Sequence, residues 1–174
     1  MVAVRVVAGE FGGRKLQAPA GTATRPTTDK VRQAVFNSLQ SMGVLEGAVV
    51  ADLFAGSGAL GIEALSRGAV HCTFVERDRA ALAALRANID ALDLAPRCTV
   101  HATDVMAWVP AMRGIDIAFV DPPYSFEAWH TLLGLVHDCG LVVAEADDPV
   151  DAPVGWTQVR ARRYGRTWVT LLER

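Results

Sequence analysis

An α/β fold with a doubly wound, mostly parallel sheet is predicted by three features of this 174-residue sequence. Short apolar runs alternate with helical patterns from Val49 onward, which is the pattern of successive βα units. The first run ends in a glycine-rich turn, where a strand hands over to a helix. The last two runs, 157–163 and 167–172, are joined by Tyr164-Gly165-Arg166, a tight connection that makes the final strand antiparallel.

Taken in order, 49–54 is a strand and its glycine turn opens a helix to about Arg67. A second strand spans 71–76, followed by an Ala/Leu-rich helix over 79–92. The third strand, 98–102, leads into a short helix near 105–112. Ile115 to Val120 reads as a buried fourth strand. The stretch 126–137 is helical, with Trp129, Leu132, Leu133 and Val136 on one face, and 141–144 is the fifth strand. The first 45 residues differ. Runs 2–8 and 14–16 flank Gly9-Glu10-Phe11-Gly12-Gly13 as a hairpin, and Thr27 or Thr28 caps a helix that buries Val31, Val35 and Leu39. The expected organisation is an N-terminal extension over 1–45 and a main domain over 46–174.

A hydrophobic fraction of 51% with 21% charged residues suits a globular chain. No apolar run approaches the ~20 residues that span a bilayer, and the N-terminus lacks a signal-peptide layout. Cys72, Cys98 and Cys139 have neither metal nor disulfide spacing. These features predict a cytoplasmic monomer with no membrane association and no metal. The net charge of −2 hides an asymmetry. Residues 1–40 hold six basic and two acidic groups, residues 156–174 five and one, and the middle is strongly acidic. If the two basic ends meet, they form a patch that neutralises phosphates.

Three constellations carry chemistry. Gly56, Gly58 and Gly61 have the G-x-G-x-x-G spacing, which allows a tight turn and close approach of a ligand to the backbone. Alone, this fits a nicotinamide cofactor equally well. Asp52, with Phe54 just after it, precedes the glycines; a carboxylate there repels a diphosphate and attracts an ammonium group. Glu76 ends the second strand, where an acid accepts ribose hydroxyls. Asp104 can accept from an adenine amine, and it also stands where it would cap the helix starting at Val105. This set suits S-adenosylmethionine as cofactor, with S-adenosylhomocysteine as product. The third constellation, Asp121-Pro122-Pro123-Tyr124, follows the fourth strand. Its prolines stiffen a loop that offers a carboxylate, two backbone carbonyls and an aromatic face to a planar amine.

The run 52–69, Phe74-Val75-Glu76 and Asp121-Pro122-Pro123-Tyr124 resemble the RsmD-type small-subunit ribosomal RNA guanine-N2 methyltransferases. Gly12-Gly13-Arg14-Lys15-Leu16, Arg25-Pro26-Thr27, Val31-Arg32 and Val35-Phe36-Asn37 resemble that family too, so the likeness covers about Val6 to Tyr124 and is weak beyond. Val7-Ala8-Gly9-Glu10-Phe11 departs from the more glycine-rich or basic opening expected. The resemblance implies a class I, Rossmann-like methyltransferase fold and an S-adenosylmethionine donor. It also implies as acceptor a guanine N2 amine of 16S-type RNA, guanine 966, during small-subunit assembly. Asp121, Pro122 and Tyr124 are then the catalytic candidates, with Asp121 also beside the cofactor. Arg14, Lys15, Arg25, Thr27, Arg32, Arg160, Arg162, Arg163 and Arg166 are the candidates for RNA, presented free or in the assembling 30S subunit.

Rival readings are an adenine-N6 methyltransferase, which shares the tetrapeptide, a nicotinamide oxidoreductase, and a non-catalytic ribosome-assembly protein. Glu127-x-x-His130 lacks the second copy a carboxylate metal centre needs. Ser57 is no nucleophile elbow, because residue 55 is alanine.

Overall fold

The computed structural model describes residues 4–20 and 28–174. In chain order these form β1 (Val4–Arg5), β2 (Lys15–Leu16), α1 (Asp29–Ser41), β3 (Val49–Leu53), α2 (Ala59–Ser66), β4 (His71–Glu76) and α3 (Arg79–Ala91). They continue with β5 (Cys98–Ala102), α4 (Val105–Trp108), β6 (Ile115–Val120), α5 (Trp129–Leu135), β7 (Cys139–Ala146), β8 (Thr157–Tyr164) and β9 (Thr167–Glu173). The main sheet has the order β5-β4-β3-β6-β7-β9-β8. β3 pairs in parallel with both β4 and β6, β4 with β5 and β6 with β7. β9 is antiparallel to β7 and β8.

This order determines where a ligand can sit. The chain steps outward from β3 to β4 and β5, then crosses back over β3 to lay down β6 and β7. The reversal lies between β3 and β6, and the crevice outside their carboxyl ends is the usual ligand position of such sheets. The glycine turn after β3 and Asp121 after β6 therefore flank one crevice.

Two apolar layers cover the sheet. On one face Phe36 and Leu39 of α1, Ile62 and Leu65 of α2 and Leu85 and Ile89 of α3 pack on Val50, Phe74, Phe119 and Val143. Val105 of α4 and Leu132 and Leu133 of α5 pack on Ala51, Val75, Val120 and Val142 on the other. The rings of Phe36 and Phe119 lie 5.2 Å apart, so α1 sits on β6. Thr28 caps α1 by accepting from Val31 N, and Asp29 in the first turn complements the helix dipole. Arg32 of α1 reaches Glu63 at the middle of α2, whereas Asn37 and Gln40 reach Arg67 just past its end. The two helices therefore run in the same direction, and both begin at the carboxyl edge of the sheet.

Several boundaries differ from the expectation for local reasons. α4 stops at Trp108 and becomes a 3-10 turn over Val109–Ala111, because Pro110 lacks the N–H needed to continue it. α5 starts only at Trp129, since Phe126 N closes a turn onto Pro123 O first. β7 is longer than 141–144 because neighbours on both sides hold its ends.

The N-terminal hairpin lies on α2. Val7 N and Ala8 N donate to the two carboxylate oxygens of the buried Glu63, at 2.7 and 3.1 Å. Glu10 N donates to Ser66 O and Phe11 N to Ser66 Oγ. Gly9, at φ +83°, must be glycine, because a Cβ there would stand 1.9 Å from Ser66 O.

Candidate active site

The site is built on the carboxyl ends of β3, β4 and β6. Asp52 is 2% exposed, and its Oδ2 accepts from Gly61 N at 2.9 Å, satisfying an amide in the first turn of α2. Burial pushes this carboxyl well above its ordinary range; the Gly61 N–H partly offsets that, and the charges of Asp121 and Glu76 push it further up. Nearly all of the residue is withdrawn from solvent, so Asp52 acts on a ligand chiefly through its field. Three acids at one crevice make a site that favours a cation.

The three glycines have different reasons. Gly56 (φ +56°) has open space where a Cβ would project. At Gly58 (φ +84°) a Cβ would meet Leu85 at 2.4 Å, and at Gly61 it would meet Phe74 at 2.4 Å and Cys72 at 2.5 Å. Close approach of a ligand, expected for all three, thus applies to Gly56; Gly58 lets α3 pack against the start of α2, and Gly61 lets α2 pack on β4. Glu76 Oε2 accepts from Gly56 N at 2.8 Å, and Oε1 from Arg77 N and Asp78 N, both at 2.8 Å. A carboxylate offers about four lone-pair sites, so Oε2 retains room for a ribose hydroxyl. Asp104 does cap α4, through Met106 N at 2.8 Å, while its Oδ2 pairs with Arg77 Nη1 at 2.8 Å. An adenine amine would share that second oxygen.

Beyond β6, the side chain of Asp121 is half-buried and that of Tyr124 is 59% exposed. One of the two carbonyls expected to be free is occupied: Pro123 O accepts from Phe126 N at 2.9 Å. Among the described residues no group donates to Pro122 O. The loop thus presents one carboxylate and one carbonyl. Phe54, at φ 63°, stands edge-on to Phe126 with centroids 5.3 Å apart, and Phe126 stands edge-on to Trp129 at 5.3 Å. These rings join the loop after β3 to the loop after β6.

The basic candidates separate into three groups. Arg32 is 1% exposed, paired with Asp29 at 2.8 Å and Glu63 at 3.6 Å, and bonded to Arg5 O. It is an interior group, because Glu63 gives its charge a partner beneath the hairpin, and it is withdrawn as an RNA contact. Arg14, Lys15, Arg160, Arg162, Arg163 and Arg166 are exposed. Arg25 and Thr27 lie outside the described residues. Among the described residues the two basic ends reach different elements. Arg14 reaches Ala91 O at the end of α3, over the β4–β5 side, whereas Arg160 reaches Ser38 Oγ from edge strand β8.

Two groups escaped sequence reading. Glu145, 4% exposed, follows Ala144, which pairs with Val120, so it lies level with Asp121 on the adjacent strand. Its one signal is a carboxylate near the end of an apolar strand. Asn88 of α3 is likewise buried and reaches the glycine turn. Among the described residues no group of His, Cys, Asp and Glu could hold a metal ion, and no helix is long and apolar enough to cross a membrane. Burial lifts the thiols of Cys98 to about 11 and Cys139 to about 12, which keeps them protonated and unreactive. A cavity of about 440 Å³ lies at the opposite edge, between Ala48, Asp116, Gly140 and Arg174, away from this chemistry.

A sheet of this order with a glycine turn after its first strand defines a class I, Rossmann-like methyltransferase fold. The chain belongs to the family described as conserved hypothetical protein 95, the RsmD family, whose model matches residues 4–173. The likeness therefore continues well past Tyr124. The chain is 40% identical to the Bacillus subtilis (strain 168) protein named "Putative rRNA methyltransferase YlbH", over 98% of this chain and 99% of that one. It is 36% identical to ribosomal RNA small subunit methyltransferase D of Escherichia coli (strain K12), over 98% and 90%. The solved structure of the Escherichia coli "Putative methyltransferase yhhF" superposes with a TM-score of 0.84 at 36% identity, over 99% of this chain and 98% of that one.

Proposed function

We propose that this chain transfers a methyl group from S-adenosylmethionine to the exocyclic N2 amine of a guanine in small-subunit ribosomal RNA. The observation that carries this reading is the Asp121 carboxylate beside the Pro122 carbonyl, to which no group among the described residues donates, one strand away from the glycine turn. Relatives named for small-subunit ribosomal RNA support the class of acceptor. Guanine over adenine, and guanine 966 in particular, rest on the family resemblance.

The described residues fit this cofactor. Gly56 leaves open space for its approach, Oε2 of Glu76 can take a ribose hydroxyl, Asp104 can accept from the adenine amine, and the field of Asp52, Asp121 and Glu76 favours its positive charge. When bound, it supplies an electrophilic methyl group on a sulfonium.

A purine amine is a poor nucleophile because its lone pair is delocalised into the ring. Asp121 and Pro122 O accept its two N–H bonds, which lets the nitrogen become more tetrahedral and turns its lone pair towards the methyl. Hydrogen bonds to a charged group are worth about 1.5–3 kcal/mol, one or two orders of magnitude in rate. Asp121 also stabilises the positive charge that develops on nitrogen, takes the lost proton and releases it to water. Extruding the base costs a few kcal/mol, which the exposed ring of Tyr124 offsets by stacking. Arg14, Lys15, Arg160, Arg162, Arg163 and Arg166 hold phosphates on either side.

The test is transfer of tritiated methyl groups to small ribosomal subunits from cells lacking this enzyme, compared with naked RNA, with the product nucleoside identified. N2-methylguanosine from the wild type and none from Asp121→Ala is expected. Full transfer by Asp121→Ala would overturn the site, and N6-methyladenosine would overturn the acceptor.

A further inference from the structure

Asn88 joins two parts of the molecule that the proposed reaction uses separately. Its side chain is 2% exposed, on the face of α3 that meets both the glycine turn and the N-terminal extension. Nδ2 donates to Ser57 O at 2.9 Å, between Gly56 and Gly58, and to Gln17 O at 3.0 Å, just after β2. Oδ1 accepts from Gln17 N at 2.7 Å. Both N–H bonds are thus divided between the two elements. Among the described residues no other side chain hydrogen-bonds to both.

The surroundings keep this link short and stiff. Leu85, one turn earlier on α3, fills the space where a Cβ at Gly58 would stand. On the other side, the extension is pinned by Glu63 at Val7 and Ala8 and by Ser66 at Phe11. A displacement of the backbone at Gln17 therefore pulls on the amide that holds Ser57 O. A buried amide left half-satisfied is costly, so the two positions favour each other.

We propose that Asn88 is a positioning residue that couples RNA engagement by the N-terminal extension to cofactor affinity at the glycine turn. The inference rests on the methyl-transfer reading given above. RNA that fixes the extension, through Arg14 and Lys15, fixes Gln17 and through Asn88 the turn at Ser57. By thermodynamic reciprocity the cofactor tightens RNA binding by the same factor. The two substrates then assemble on the enzyme together, although they occupy different surfaces.

The experiment is equilibrium dialysis of tritiated S-adenosylhomocysteine against the full chain, alone and with small ribosomal subunits from cells lacking this enzyme. Subunits are expected to tighten wild-type binding by about 5-fold or more, the usual lower range of coupling between sites. In Asn88→Ala the two affinities converge. Because loss of a buried amide can also weaken the fold, the second variant is the full chain made by ligation with an ester in place of the Leu16–Gln17 amide. It removes the Gln17 N–H that Asn88 Oδ1 accepts and leaves the Asn88–Ser57 bond in place. It is expected to bind S-adenosylhomocysteine alone as the wild type does, with most of the tightening gone. A purely structural role for Asn88 would not move that ratio. A wild type that binds no S-adenosylhomocysteine overturns the methyl-transfer reading and the coupling together. Wild-type binding without tightening, or the Gln17 ester with full tightening, overturns the coupling alone.

Discussion

Phe54 stands edge-on to Phe126, ring centroids 5.3 Å apart and planes at 65°, and so locks the turn after β3 to the loop after β6. Phe54 holds a left-handed backbone, φ 63°, that a bulky side chain rarely adopts. Such a conformation persists only where packing enforces it, and here the packing partner belongs to the loop that carries Asp121.

Phe54→Ala should therefore act on the reaction more than on the fold. Loss of the aromatic pair costs about 1 kcal/mol, yet the two loops lose their mutual alignment. Methyl transfer is expected to fall by about 10- to 100-fold, with a melting temperature only a few degrees lower. A steady-state assay beside a thermal melt checks this.

Asp52 gives a pH-dependent prediction. Its carboxyl is held above the ordinary 3.8 mainly by burial, so the folded chain binds this proton more tightly than the unfolded chain does. Its contribution to stability is complete below the unfolded value and is lost as pH rises through the folded one. Asp52→Asn keeps an acceptor for Gly61 N and removes the buried charge. At neutral pH it should melt above the wild type, with a flatter dependence of melting temperature on pH. It should bind S-adenosylhomocysteine about 10-fold more weakly, because the attraction for the ammonium group is gone.

Arg32 and Arg162 should behave as opposites. Arg32→Ala leaves Glu63 paired with Arg67, whose Nε lies 2.6 Å from its Oε1, but it removes a fully buried side chain together with its bonds to Asp29 and Arg5 O, a loss of about 1–3 kcal/mol. Urea unfolding is expected to show that loss. Arg162→Ala, on the exposed edge strand, should leave unfolding unchanged. It should lower RNA affinity and reduce the slope of log affinity against log salt by about one unit.

Gly61→Ala tests the assignment of that glycine to packing. A Cβ would meet Phe74 and Cys72 at 2.4 and 2.5 Å. Overpacking of this kind costs about 1–3 kcal/mol. The thermal melt should drop accordingly, even without cofactor present.

The strand sequence and the carboxyl-edge position of Asp121 are legible because they depend on local pattern. Apolar runs, a glycine turn and a double proline each impose their geometry within a few residues. The fate of Arg32 is not legible in that way, since its burial depends on Glu63, 31 positions later, closing over it with the hairpin. Pro123 O looks free in the sequence and is taken by Phe126 N, a turn that the spacing alone does not reveal. Asn88 and Glu145 have ordinary sequence surroundings. Their positions matter only once α3 and β7 are placed beside the glycine turn and Asp121.

The Glu63 junction also bears on how the chain comes into being. Val7 N and Ala8 N donate to a carboxylate 56 and 55 residues further on, and Glu10 N to Ser66 O. During synthesis the hairpin therefore lacks Glu63 and Ser66 to dock on until α2 has been made. The segment that bears Arg14 and Lys15 thus docks only onto a helix already formed.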